Sequence, residues 1–335
     1  MILLDASDLT ALSRYLHKSE WLKAGEIVTD AQRAGEGNMN YVIRVRTGAR
    51  SFILKQARPW VEKYPQIAAP RERAKIEACF YREVRSDSAT AAHVPKLLAF
   101  DAQEQVLMIE DLGPARDMNW LYQSSEDLLT GADLDALIHF LLALHTGFQH
   151  PSLSLPFRNR EIRELNHEHV FALPLRSDNG LNLDTITPGL AVLARQIRNN
   201  HDYLARVAAL GRIYLDATGP CLLHGDYFPG SWLKTDEKVY VIDHEFSFYG
   251  PPEWDVGVMV AHFHLAGQRP EKIARILDLY ASAAPLDHEL MAAFAGVEIM
   301  RRLIGVAQLP LACGVDRKEE LLDLSVELVL GKRAA

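Results

Sequence analysis

Short β-branched and apolar runs dominate the N-terminal part of the chain, whereas helical periodicity dominates the remainder. An amphipathic pattern predicts a helix at residues 5–23, and apolar runs bounded by turn residues predict strands at residues 41–46, 51–56 and 105–109. Further helices are predicted at residues 70–86, 134–144, 187–210, 290–309 and 321–330. The pattern indicates an α+β protein whose C-terminal part is mainly helical.

Two short apolar runs in the second half of the chain end in acidic residues. Leu222–Leu223 lies just before Asp226, and Val239–Ile242 lies just before Asp243, with Glu245 two residues further on. If both runs are buried strands, their ends bring the carboxylates to one cleft. One such Asp can accept the proton of a hydroxyl while the other holds Mg²⁺, which is the arrangement that phosphoryl transfer requires.

Composition and charge narrow the class of protein. The chain has 335 residues, of which 48% are hydrophobic and 24% charged, as expected for a globular enzyme with two lobes. Its net charge of −8 argues against nucleic-acid or anionic-membrane partners. Three widely spaced cysteines, no secretory pattern at the N-terminus and no apolar run of membrane-spanning length predict a cytoplasmic protein.

A glycine-rich turn and a strand lysine are the candidate phosphate-binding features. The turn contains Gly35, Gly37, Asn38 and Asn40, and such turns let backbone N–H groups approach phosphate oxygens, although any hairpin can use glycines. Lys55 ends the next strand. It is either a lysine that extends along the surface or the kinase lysine that binds phosphates and pairs with a helix glutamate.

These motifs together resemble a known family. The sequences HGDYFPGS at 224–231 and IDHEFSFYGPPEWD at 242–255 are similar to those of the aminoglycoside phosphotransferase and choline kinase superfamily. The closer match is to 5-methylthioribose kinases, which carry HGD-x-x-x-G-S and then ID-x-E-F-x-FYGP. The resemblance implies a protein-kinase-like bilobal fold. It predicts a small N-terminal lobe with an antiparallel sheet at residues 1–113 and a larger, mainly helical lobe at residues 114–335.

The resemblance also implies roles for the acidic residues. Asp226 is expected to be the catalytic base, Asp243 to bind Mg²⁺ directly, and Glu245 to share the metal or act through water. Ser231 occupies a second metal-ligand position at which most of the superfamily has Asn. The residues expected to support the catalytic loop are His224 and Asp255.

ATP is the phosphoryl donor that the resemblance implies. The residues expected to bind it are Gly35, Gly37, Asn38, Asn40, Lys55, Glu83, Glu110 and Leu112. Among these, Glu83 on the helix at residues 70–86 is the expected partner of Lys55, with Glu77 as the alternative. Glu110 and Leu112 belong to the segment expected to join the lobes and to bind adenine through its backbone.

The acceptor is a small molecule, for which methylthioribose is the first expectation. Arg301 and Arg302 match an arginine pair that lines the sugar site in methylthioribose kinases, although neighbouring arginines leave a helix about 100° apart and one of them could face solvent. The chain departs from that family in Tyr227-Phe228 after HGD and in a segment at 64–70 that lacks a tryptophan-bearing lid.

Other interpretations therefore stay open. The acceptor could be choline, an aminoglycoside or another sugar, and a non-catalytic nucleotide-binding scaffold is the alternative outside the enzymes. The resemblance further implies a possible homodimer.

Overall fold

A computed structural model describes residues 2–35, 37, 39–123, 128–149, 155–216 and 219–333. The chain forms two compact units. The first contains Met1–Ala115 and Tyr240–Phe246, and the second contains Arg116–Val239 and Ser247–Ala335. The lobes predicted at 1–113 and 114–335 remain a prediction, and the structure adds that a short segment from the second half of the chain groups with the N-terminal residues.

The first unit is built around an antiparallel sheet. Its elements are α1 (Leu9–Lys18), β1 (Val28–Arg33), β2 (Tyr41–Thr47), β3 (Ser51–Gln56), β4 (Trp60–Val61), β5 (Tyr64–Ala68), α2 (Arg73–Val84), α3 (Ser88–Ala91), β6 (Leu97–Asp101) and β7 (Val106–Glu110). Five strands form one sheet in the order β1-β2-β3-β7-β6, and β4 pairs with β5. All of these pairs are antiparallel.

Alternation of side chains along the central strands β2 and β3 gives the sheet two faces, of which one belongs to the apolar core. Ile43 and Val45 of β2 and Phe52 and Leu54 of β3 lie in one buried apolar cluster. Because successive residues of a strand point to opposite faces, Lys55 leaves β3 on the side away from this core. The sheet register places Lys55 between Val42 of β2 and Leu107 of β7.

Three predicted helices are shorter or divided in the structure. The one predicted at 290–309 already ends at Ile304, and local capping explains the other two differences. The segment predicted at 5–23 is helical only in α1, because Asp8 caps the start of the helix and Glu20, at φ 59°, turns the chain after its end. The segment predicted at 187–210 contains two helices, since the Asn200 side chain accepts the backbone N–H of Tyr203 and starts a new helix.

The second unit is mainly helical. Its elements are β8 (Arg116–Asp117), α4 (Gly131–Gly147), α5 (Arg160–His167), α6 (Leu190–Arg198), α7 (His201–Asp216), β9 (Cys221–Leu223), β10 (Trp232–Lys234), β12 (Phe248–Gly250), α8 (Glu253–Leu265), α9 (Pro270–Ala281), α10 (His288–Ile304) and α11 (Val315–Val329). The strand β11 (Val239–Val241) begins at the last residue before the segment that groups with the first unit and continues into that segment. β8 pairs with β10 and β9 with β12, both antiparallel. Within the described ranges, no helix has the length and apolarity that crossing a bilayer requires.

Close packing of α8, α10 and α11 forms the centre of this unit. Both α8 and α10 are buried along almost their whole length. A Cβ atom at Gly257 of α8 would lie 2.8 Å from the Met291 carbonyl oxygen of α10, and one at Gly296 of α10 would lie 2.8 Å from the Ser325 carbonyl oxygen of α11. The two glycines therefore let three helix backbones approach closely, and α10 is held rigidly between its neighbours.

We expect Gly296→Ala to destabilise the second unit. The new methyl group would also lie 2.8 Å from Val329 Cγ2, and such overpacking typically costs about 1–3 kcal/mol. The control is Gly131→Ala at the start of α4, where a Cβ has no neighbour within 4 Å and where alanine favours the helix. Urea unfolding should show a lowered midpoint for the first variant only; equal midpoints would contradict the close approach of α10 and α11.

Candidate active site

A group of ionised and polar side chains in the first unit is termed here the lysine–carboxylate cluster. Its members are Asn40, Lys55, Arg73, Glu77, Asp243 and Glu245. Lys55 Nζ lies 2.7 Å from Glu77 Oε2 and 2.5 Å from Asp243 Oδ1. The side chains of Lys55 and Glu77 are 4% and 1% exposed, whereas that of Asp243 is 43% exposed. One buried ammonium group is thus shared by two carboxylates, of which Asp243 is open to solvent.

The carboxylates in this cluster stabilise the charged form of Lys55. Burial by itself lowers the pKa of Lys55, but the carboxylates of Asp243 and Glu77 outweigh burial and raise its pKa above the ordinary value. Burial raises the pKa of Glu77, against the opposing effect of the Lys55 ammonium. Lys55 therefore remains a cation at neutral pH.

The expectation that Glu83 pairs with Lys55 is wrong, because Lys55 contacts Glu77. Glu77 belongs to the buried face of α2 together with Ala74 and Tyr81, whose hydroxyl donates to Glu77 Oε1 at 3.2 Å. Six residues along a helix correspond to about 240° of rotation, so Glu83 lies on another face and is exposed. The order of charged residues in the sequence did not reveal which face of this helix is buried.

A buried histidine anchors the segment that carries Asp243. The ring of His244 stacks on Phe80 of α2 with centroids 3.8 Å apart and planes 8° apart, and the Val241 N–H donates to the His93 carbonyl at 2.7 Å. Asp243 itself has φ 66°, a left-handed conformation that is uncommon for a residue other than glycine. The fixed backbone around it directs the carboxylate to Lys55.

Arg73 is a member of the cluster that was not predicted from the sequence. This buried side chain donates from Nε to Asn40 Oδ1 at 3.0 Å, and the same Nε lies 3.2 Å from Glu245 Oε2. Asn40 Nδ2 donates to that Glu245 oxygen at 2.8 Å, and Arg73 also binds the Met39 carbonyl. The glycine-rich turn is therefore tied to Glu245. A charged helix gave no signal that this arginine points inward.

The remaining candidates in the first unit have varied surroundings. Gly35 has φ 76°, a conformation that favours glycine, and a Cβ at Gly37 would lie 3.1 Å from the Asn40 carbonyl oxygen. Asn38 lies outside the described residues. The Glu110 N–H is occupied in the sheet by the Lys96 carbonyl at 2.9 Å.

An arginine that was not predicted holds the segment around Leu112. Arg44 Nε lies 2.9 Å from Asp111 Oδ2, and its Nη2 donates to the Gly113 carbonyl at 2.9 Å. These two contacts fix the residues on either side of Leu112.

The loop that carries Asp226 is held by buried contacts within the second unit. Asp255 accepts the backbone N–H groups of His224 at 2.6 Å and Gly225 at 2.9 Å, which is the contact expected from the sequence. Trp254 Nε1 donates to the Gly225 carbonyl, and His224 Nδ1 accepts the Asp226 N–H at 3.3 Å. Gly225 has φ 89°, so the loop needs glycine at this position.

Asp226 belongs to a second group of polar side chains, the aspartate–arginine cluster. Its members are Tyr122, Asp226, His262, Glu298, Arg301 and Arg302. Nη2 atoms of Arg301 and Arg302 lie 3.1 Å and 3.3 Å from Asp226 Oδ1. Both arginines are buried, so the alternative that one of them faces solvent is wrong. The Asp226 side chain remains 20% exposed.

The two aromatic residues after Asp226 differ in their surroundings. Tyr227 is buried in the helical core, where its hydroxyl donates to the Leu137 carbonyl and its ring stacks on Phe140. Phe228 instead lies under Arg302, with the guanidinium carbon 4.6 Å from the ring centroid. Of this pair, Phe228 is therefore the one that adjoins the aspartate–arginine cluster.

The candidate metal ligands differ in accessibility. Asp243 is open to solvent, whereas Glu245 Oε2 is bound by Asn40 and close to Arg73. Ser231 is buried and its hydroxyl donates to the Asp226 carbonyl at 3.1 Å. No group of three or more His, Cys, Asp or Glu among the described residues is arranged to hold a metal ion. Mg²⁺ commonly uses only one or two carboxylates together with substrate phosphates, and Asp243 fits that mode.

The fold and these side chains define a kinase-like phosphotransferase of small molecules. The model of the phosphotransferase enzyme family matches residues 30–293, and the chain belongs to that family. The α+β, kinase-like fold class predicted from the sequence is confirmed, as is the prediction of a small-molecule kinase.

Individual relatives agree with this assignment, and solved structures agree with the fold. The chain is 26% identical to the methylthioribose kinase of Exiguobacterium sibiricum over 83% of its own length and 80% of the relative. It is 30% identical to the methylthioribose kinase of Erwinia tasmaniensis, and the match covers 69% of this chain and 58% of that relative. The choline kinase LicA from Streptococcus pneumoniae superposes with a TM-score of 0.53 at 15% identity, covering 96% of this chain and 98% of that structure. LicA in complex with AMP gives a TM-score of 0.56 at 14% identity, covering 95% and 98%.

We expect Glu77→Ala and Glu83→Ala to differ sharply in stability. Removing Glu77 leaves the buried Lys55 ammonium with less compensating charge and Tyr81 without its acceptor, a loss of about 1–3 kcal/mol. Glu83 is exposed on the same helix, and its removal should change the free energy of unfolding by no more than about 0.5 kcal/mol. Urea unfolding of both variants measures the difference. A greater loss of stability in Glu83→Ala than in Glu77→Ala would identify Glu83 as the partner of Lys55.

Proposed function

We propose that the protein transfers the γ-phosphoryl group of ATP to a hydroxyl of 5-methylthioribose and uses Mg²⁺ as cofactor. The observation that carries the proposal is the environment of Asp226, a partly exposed carboxylate whose Oδ1 is held by two buried guanidinium groups. The similarity to methylthioribose kinases over most of the chain supports this choice of acceptor.

Asp226 is the proposed general base. Arg301 and Arg302 both bind Oδ1, and among the residues that the structure describes none donates a hydrogen bond to Oδ2. An acceptor hydroxyl within about 2.6–3.2 Å of Oδ2 could transfer its proton as the phosphoryl group arrives. The contacts of Asp255 and His224 to the loop backbone keep the carboxylate in place for this step.

The lysine–carboxylate cluster is the proposed phosphate and metal site. Lys55 carries a positive charge that can stabilise phosphate oxygens, and Asp243 offers an accessible carboxylate to Mg²⁺. Bound Mg²⁺ would neutralise charge on the phosphates during transfer. Glu245 is held by Asn40 and Arg73. We therefore propose that it either contacts the metal through a water molecule or fixes the position of the glycine-rich turn.

The arginine pair favours a neutral polyhydroxylated acceptor over a cationic one. Arg301 and Arg302 present hydrogen-bond donors beside Asp226, and guanidinium groups bind hydroxyl oxygens but repel ammonium groups. Choline and aminoglycosides are cations, so we place them behind sugars as acceptors. We also infer a cytoplasmic enzyme with no nucleic-acid or membrane partner; the homodimer stays a prediction.

An acceptor panel tests the proposed function. The protein is incubated with Mg·ATP and, separately, 5-methylthioribose, ribose, choline and an aminoglycoside, and ADP release is followed. We expect turnover with methylthioribose to exceed that with either cationic acceptor. ATP binding without turnover of any acceptor would favour the scaffold alternative, and preferred turnover of choline or the aminoglycoside would refute the sugar assignment.

We expect Asp226→Asn to lower kcat by about 10²–10⁴-fold, because an amide cannot accept the hydroxyl proton. Its ATP dissociation constant, measured by calorimetry, should stay within about threefold of wild type, since this residue acts on the acceptor. Asp236→Asn is the control, because Asp236 is an exposed residue between β10 and β11. Near-normal turnover of Asp226→Asn would remove Asp226 from the role of base.

A further inference from the structure

Glu298 is a buried carboxylate that binds both arginines of the aspartate–arginine cluster. Its Oε2 accepts from Arg301 Nε at 2.6 Å, and its Oε1 accepts from Arg302 Nε at 2.8 Å. The arginines are three and four residues further along α10, so all three side chains lie on one side of the helix. With each Nε fixed in this way, both guanidinium groups present Nη2 to Asp226 Oδ1.

Two further residues continue the chain of contacts away from Asp226. His262 Nε2 lies 3.0 Å from Glu298 Oε1, and His262 Nδ1 lies 2.6 Å from the Tyr122 hydroxyl. Tyr122, on the turn at Met118–Tyr122, and His262, on α8, are both buried. None of these three residues has a role in the proposed chemistry of proton or phosphoryl transfer.

The charge states fix the direction of every hydrogen bond in this chain. Burial lowers the pKa of His262 to about 4, so its ring is neutral. Burial raises the pKa of Glu298, but Arg301 and Arg302 outweigh burial and hold its pKa well below the usual range. Since the carboxylate can only accept, His262 must donate from Nε2 and accept at Nδ1, where Tyr122 donates its proton.

The arginine pair needs this restraint. An arginine side chain loses about 1.5–2 kcal/mol of conformational entropy when fixed, and two neighbours on a helix start about 100° apart. Glu298 turns both toward Asp226, and the ring of Phe228 lies against the Arg302 guanidinium. His262 and Tyr122 in turn fix Glu298 Oε1, which must accept from Arg302 and His262 together.

We propose that Glu298, His262 and Tyr122 are positioning residues that orient Arg301 and Arg302 toward Asp226 and the acceptor. The chain runs from the Tyr122 hydroxyl through the His262 ring and the Glu298 carboxylate to the two guanidinium groups. The functional part of this inference rests on the proposed kinase activity. Its structural part, the orientation of the arginines, is independent of the acceptor.

The first test measures the environment of the two arginine side chains directly. NMR of protein labelled with ¹⁵N-arginine reports the two Nε–H groups, which are assigned by their loss in Arg301→Lys and Arg302→Lys. We expect Tyr122→Phe and His262→Leu to shift both signals and to speed their exchange with water. The control is Tyr203→Phe, which deletes another buried hydroxyl hydrogen bond in the same unit, to Ser325 at 2.8 Å, and should leave the signals unchanged. Unchanged signals in Tyr122→Phe would overturn the inference.

The second test is kinetic. We expect Tyr122→Phe to lower kcat/KM for the acceptor by about threefold to tenfold, the range that one buried hydrogen bond supports, with KM for ATP unchanged. His262→Gln, which keeps a donor for Glu298, should retain more acceptor kcat/KM than His262→Leu. Tyr203→Phe should lose about as much thermal stability as Tyr122→Phe but should keep the wild-type kcat/KM for the acceptor.

The outcomes separate the two proposals. Wild-type protein that phosphorylates no sugar would refute the proposed function, while the arginine signals would still decide the orientation. Wild-type turnover together with unchanged acceptor kinetics in folded Tyr122→Phe and His262→Leu would refute the positioning role alone. An equal loss of acceptor kcat/KM in Tyr203→Phe would assign the effect to stability and would also refute it.

Discussion

A charge that is removed from water must meet its counter-charge inside the protein, and both clusters follow from this constraint. In the first unit, the buried ammonium of Lys55 on β3 draws together Glu77 from α2 and Asp243 from a segment far along the chain. The segment at 240–246 accordingly groups with the N-terminal residues and not with its neighbours in sequence. Stacking of His244 on Phe80 gives this ion-pair arrangement a rigid support.

The second unit meets the same constraint with the charges reversed. Here a buried carboxylate, Glu298, is compensated by Arg301 and Arg302, and their outer nitrogen atoms remain available to Asp226. The close approach of α8, α10 and α11, made possible by Gly257 and Gly296, holds the helices that carry these groups. Dense packing therefore determines the position of polar atoms as well as of apolar ones.

Some site features could be predicted from the sequence because they depend on neighbours along the chain. The ends of apolar runs located Asp226 and Asp243, and the motif around them indicated the kinase-like class. The partner of Lys55 could not be predicted in this way. Glu77 and Glu83 lie in the same charged helix, and only packing against the sheet decides which of its faces is buried.

Arg73 and Arg44 show the same limit, since a charged residue on a helix or strand gives no sign of burial until its partners come from elsewhere in the fold. By itself, the sequence determined the mixed α+β class, several of the strands and helices and the acidic residues that follow β9 and β11, because periodicity and turn chemistry are local, and its motifs indicated the kinase-like fold. Tertiary structure decided which charges are buried together, how α2 is rotated and that both Arg301 and Arg302 face Asp226. Those outcomes depend on desolvation and packing between residues distant in sequence.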